Sequence, residues 1–114
     1  MPVVYVIAED WTLRAGVRAE LRERGIDALG METGADAGSA VAAGQLPAVV
    51  VLDANSKAAS DPAIQTLIAR VPAVVIASRT STPYVPSAAK TLSRPVQIRE
   101  IVAAVFELLN GLRV

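Results

Sequence analysis

Three short, unbroken apolar runs rich in β-branched residues punctuate the chain: Val3-Val4-Tyr5-Val6-Ile7-Ala8, Ala48-Val49-Val50-Val51-Leu52 and Ala73-Val74-Val75-Ile76-Ala77. A weaker fourth run follows at Ala89-Lys90-Thr91-Leu92. Each is too short for a typical helix. Continuous rather than alternating apolarity suits strands covered on both faces, the condition of a parallel sheet. A buried helix turn is the alternative reading for runs this short.

Between these runs the apolar residues change period. Thr12 to Arg24 carries Leu13, Val17 and Leu21 four residues apart, with Arg and Glu on the other faces and Gly25 as a stop. Ile26 to Met31 reads as a second strand. Asp36 to Ala43 reads as a short helix with Asp36 as its N-cap and Gly44 at its end. Ala63 to Arg70 places Ile64, Leu67 and Ile68 on one face, with Asp61-Pro62 at its start. Pro95 to Leu109 gathers Ile98, Ile101, Val102, Val105, Leu108 and Leu109 into one apolar stripe. Ser78 to Ala88 is rich in Ser, Thr and Pro, carries no stripe, and reads as a loop. Strands alternating with helices predict an α/β fold: a doubly wound five-stranded parallel sheet, with a fourth helix shortened or absent between the last two strands. No repeat or linker divides residues 1–114, so a single domain is expected.

Composition narrows the chemistry. The chain has no cysteine and no histidine, which removes disulfides, thiolate nucleophiles, zinc–sulfur sites, imidazole ligands and His-based triads. Eleven basic residues balance eleven acidic ones, against a nucleic-acid surface that works by bulk charge. No apolar run approaches the roughly 18 residues that span a bilayer. The N-terminus lacks a basic n-region, so a cytoplasmic protein without membrane contact is expected. Carboxylates, hydroxyls, Lys and Arg remain, and a metal bound by them would be a hard cation such as magnesium.

Ligands of open parallel sheets bind beyond the carboxyl ends of the strands. Those ends carry Glu9-Asp10 after the first strand, Asp53 after the third, Ser78 after the fourth and Arg94 after the fifth. Three carboxylates converging there would repel one another. Two charges about 4 Å apart cost roughly 4 kcal/mol at an effective dielectric near 20. A magnesium ion would offset that repulsion, and an ionised Asp53 beside it could attack phosphorus while Ser78 and Arg94 hold the transferring oxygens.

The segments Val4-Tyr5-Val6-Ile7-Ala8-Glu9-Asp10, Val49-Val50-Val51-Leu52-Asp53, Val74-Val75-Ile76-Ala77-Ser78 and Ser93-Arg94-Pro95 resemble the four signature segments of response-regulator receiver domains (the CheY-like family). The resemblance runs the length of the chain. It implies a flavodoxin-like signalling relay rather than an enzyme, phosphorylated on Asp53 by a histidine kinase or phosphotransfer protein. It also implies a magnesium site built from Asp10, Asp53, the Asn55 backbone carbonyl and, through water, Glu9. Ser78 would bond the phosphoryl group. Output would pass to a downstream protein partner, an output domain or a second copy in a homodimer.

Several positions depart from that pattern. Arg94 stands where the family has lysine; it keeps the charge, but a planar fork does not fill an ammonium's place. Arg79 follows Ser78 where a small residue is usual. The loop from Ala54 to Pro62 lacks the usual Met-Pro and turn glycine, residues 78–94 are short, and Thr91 stands at the aromatic switch position. These departures motivate a second reading, a pseudo-receiver that docks or dimerises without phosphorylation. A flavodoxin-like phosphate or nucleotide binder is a third, weakened because Glu9-Asp10-Trp11-Thr12 stands where a glycine-rich cradle would be. Blander roles compete residue by residue. Asp53 could cap a turn, Glu9-Asp10 could cap the following helix, Thr80 could replace Ser78, Arg94 could be a surface arginine, and Trp11 reads as half-buried packing.

Overall fold

The computed structural model describes residues 2–77 and 90–111. Five strands, β1 (Val3–Ile7), β2 (Asp27–Met31), β3 (Val49–Asp53), β4 (Ala73–Ala77) and β5 (Lys90–Ser93), form one sheet in the order β2-β1-β3-β4-β5. Every neighbouring pair is parallel. The helices are α1 (Trp11–Glu23), α2 (Gly34–Ala42), α3 (Pro62–Ile68) and α4 (Ile98–Gly111), with a 3-10 turn at Lys57–Ser60. This is the doubly wound α/β sheet that the apolar runs imply. The expected loop at 78–88, the reduced fourth helix, Ser78, Arg79 and Thr80 all lie outside the described residues. Among those described, no helix is long and apolar enough to cross a membrane.

The pleat explains why the strand runs are apolar without a break. Val4, Val6, Val49, Val51, Val74 and Ile76 face α1 and α4, where Val17, Leu21, Ile101, Val102 and Val105 complete one core. Their alternates Tyr5, Ile7, Val50, Leu52, Ala73 and Val75 face α2 and α3 and pack with Ala37, Ala40, Ile64 and Ile68 in a second core. β3 and β4 are buried at all five positions, whereas β5 alternates half-buried and exposed residues, as a sheet margin does. Tyr5 is fully buried and donates its hydroxyl to the Gln45 carbonyl; burial pushes the phenol's pKa up.

Helix ends follow local chemistry. After α1, the N–H of Gly25 bonds Arg22 O at 3.0 Å and that of Ile26 bonds Leu21 O at 3.0 Å, with Gly25 at φ +82°. Gly44, at φ +85°, closes α2 in the same way. This left-handed closure needs a residue without a Cβ penalty. α2 begins two residues before the expected Asp36. Thr33 is its N-cap, and Asp36 is the third helical residue of a reciprocal capping box. α4 begins at Ile98 rather than Pro95, and the N–H groups of Glu100 and Ile101 bond the Gln97 carbonyl.

Candidate functional site at the carboxyl edge of the sheet

In the order β2-β1-β3, the chain switches direction between β1 and β3, and the crevice outside their carboxyl ends is the natural ligand position of such sheets. Glu9, Asp10 and Asp53 all stand there. Asp53 is the last residue of β3 and only 3 % exposed. Parallel pairing brings Arg94 to the same edge: Ala77 pairs with Ser93, and the Arg94 N–H extends the ladder to the Ala77 carbonyl at 2.9 Å.

Each carboxylate is occupied by a protein donor. Arg94 Nη2 donates to Asp53 Oδ2 at 2.8 Å, an ion pair whose carboxylate is buried and whose guanidinium side chain is 32 % exposed. Asp53 Oδ1 accepts from the Asn55 N–H at 3.0 Å, and the Asp53 carbonyl accepts from Ser56 Oγ at 2.7 Å, tightening the turn after β3. Glu9 Oε1 accepts from the Lys57 N–H at 2.8 Å, which ties the β1 tip to the 3-10 turn. Asp10 is the N-cap of α1, accepting from Thr12 N–H at 3.0 Å and Leu13 N–H at 3.3 Å.

The capping role weighed for Glu9-Asp10 is thus taken by Asp10 alone. Glu9, Asp10 and Asp53 share one edge of the sheet, each hydrogen-bonded to donors of the protein itself. Among the described residues, no three Asp or Glu side chains are grouped to hold a metal ion. The helix cap takes Asp10 Oδ1, and Arg94 bonds Asp53 Oδ2. The Asn55 side chain and backbone lie on an exposed turn, where its N–H serves Asp53. As the side chains stand, the two carboxylate oxygens of Asp53 each accept one hydrogen bond, from Asn55 N–H and from Arg94.

A second arginine reinforces this edge. Arg14 Nη1 donates to the Ala8 carbonyl at 2.7 Å and reaches the Glu9 carbonyl at 3.4 Å, while Nη2 pairs with Glu32 at 3.1 Å. The sequence reading placed the arginines of this helix on an outer face and missed this role; the signal for it was Gly30, over whose Cα the Arg14 stem passes. Trp11 also differs from expectation, standing 70 % exposed rather than half-buried. Arg94 Nε is buried and has no partner among the described residues.

No family model matches the sequence, and no curated protein matches it. Solved structures do. A response regulator receiver protein from Burkholderia phymatum is 21 % identical, with 96 % of each chain covered and a TM-score of 0.75. A response regulator receiver protein from Sinorhizobium medicae WSM419 is 19 % identical over 96 % of this chain and 94 % of that one, with a TM-score of 0.75. The receiver domain of the Francisella response regulator 1452 is 19 % identical over 97 % and 98 %, with a TM-score of 0.73. With its five parallel strands in the order β2-β1-β3-β4-β5 and its acidic residues at the carboxyl edge, the chain has the fold of response-regulator receiver domains.

Proposed function

We propose that this chain is a receiver-type signalling module of the two-component class that works by protein–protein contact without accepting phosphate. The observation that carries this reading is the Asp53–Arg94 ion pair, 2.8 Å long, with its carboxylate buried. Phosphoryl transfer to a carboxylate needs an open oxygen and a cation to neutralise the incoming charge. Here both oxygens of Asp53 already accept hydrogen bonds, and Glu9 and Asp10 each spend one oxygen, on the Lys57 N–H and on the α1 cap. The module's partners would be the proteins that receivers meet, a kinase or phosphotransfer protein upstream or an output protein downstream. It would carry no enzymatic activity of its own.

The competing reading, phosphorylation of Asp53, is favoured by the position of Asp53 at the tip of β3 with a guanidinium beside it, since arginine also grips phosphate bidentately. Incubation with a small phosphodonor and magnesium, followed by intact-mass measurement, separates the two. The expected result is an unchanged mass, together with cellular complementation by Asp53→Asn equal to wild type. A mass gain of one phosphoryl group that Asp53→Asn abolishes would overturn the proposal in favour of phosphorylation.

A further inference from the structure

We infer that Arg94 is a built-in counterion: its guanidinium takes the electrostatic place of a divalent cation at Asp53 and makes the acidic edge indifferent to dissolved metal. The inference rests on the signalling reading above and deepens it, because it assigns the charge that balances Asp53 to one side chain.

Burying a carboxylate without a partner is costly enough that proteins pair, coordinate or protonate it. Asp53 is 4 % exposed at its side chain and has two partners among the described residues: the Asn55 N–H, which is a dipole, and Arg94, which supplies a full charge. Arg14, the other cation at this edge, is engaged with the carbonyls of Ala8 and Glu9 and with Glu32. Lys57 contributes its backbone N–H to Glu9. Arg94 is therefore the full positive charge bonded to Asp53 among the described residues.

Among the described residues, replacing Arg94 by a neutral residue leaves Asp53 with the Asn55 dipole, and a cation from solvent becomes one way to balance it. Glu9 and Asp10 stand at the same edge and each has one oxygen outside the bonds described above. Any ligand that binds only the folded state raises its stability. Cation binding would therefore appear as a change in melting temperature.

Thermal unfolding of the full chain is measured with and without about 10 mM magnesium or manganese chloride, using potassium chloride of equal ionic strength as the blank. Wild type is expected to show no specific shift. Arg94→Gln is expected to gain about 5 °C, and Asp53→Asn/Arg94→Gln, which has no carboxylate to balance, is expected to gain none. The emission of Trp11, the sole tryptophan and the neighbour of Asp10, gives a second readout of the same binding. A wild-type shift equal to that of Arg94→Gln overturns the inference, as does a folded Arg94→Gln indifferent to both metals. If Arg94→Gln is unfolded without cation, magnesium should restore it; failure to do so while the double variant folds also overturns it. A wild type that takes phosphate sinks the signalling proposal, whereas a metal-indifferent Arg94→Gln with unphosphorylated wild type sinks only this inference.

Discussion

Asp36 accepts hydrogen bonds from the backbone N–H groups of Glu32 and Thr33, at 3.2 and 3.3 Å, while the Thr33 hydroxyl accepts from the Asp36 N–H at 3.1 Å. The Glu32 bond, ahead of those from Thr33 and of the more distant Arg14, holds the carboxyl below its usual range against a smaller opposing desolvation. A depressed pKa in the folded state means that the unfolded chain binds more protons as acid is added. The contribution of Asp36 is thus complete above the ordinary carboxylate pKa of about 3.9 and is lost as pH falls through the lower, folded value. Asp36→Asn should lower the melting temperature at neutral pH and flatten its fall below about pH 4. Superimposable pH profiles for the two proteins would show that the box adds nothing. Sequence made the identities at the acidic edge legible, because strand ends follow from where the apolar runs stop. It did not show what each carboxylate binds. The Lys57 donor lies 48 residues from Glu9, and Arg94 lies 41 residues from Asp53, so both pairings depend on strand register and turn path rather than on local pattern.

Helix α2 contains two glycines with opposite demands. A Cβ on Gly34 would fall 2.3 Å from Asp61 Oδ2 and 2.4 Å from its Cγ, and Asp61 is the N-cap of α3. A Cβ on Gly38 meets nothing within 4 Å. Gly34→Ala should therefore destabilise by about 1–3 kcal/mol through overpacking against a short, bonded side chain. Gly38→Ala should stabilise by about 0.5–1 kcal/mol because the unfolded chain loses freedom. Urea denaturation of both variants checks the pair, and the same sign for both would refute the packing argument. At this scale the strands were the most legible elements, since two-sided burial and β-branched residues favour a strand over a buried helix turn in a run such as Val49–Leu52. Helix starts were less so. Thr33-Gly34-Ala35-Asp36 has the spacing of a capping box, yet Asp36 alone suggests a cap, and only the backbone shows which of the two ends the strand.

Across the whole molecule, the sheet separates two cores that share no helix. Ile64 is fully buried on the α2–α3 side and Ile101 on the α1–α4 side. Ile64→Val and Ile101→Val should each cost about 1 kcal/mol, and the double variant should lose their sum within about 0.5 kcal/mol, as distant sites do. A coupling well above that, measured by a double-mutant cycle, would mean that the sheet transmits packing strain from one layer to the other. The order of the strands was legible only as a class, because apolar runs announce a parallel sheet without saying which strand lies at the margin. That detail matters for Arg94. Asp53 ends a strand wedged between two neighbours, while its partner sits at the tip of β5, which has a neighbour on one side and alternate residues in water. The bond between them therefore ties the middle of the sheet to its rim, so a partner that docks on β5 touches the strand whose tip carries the charge bonded to Asp53.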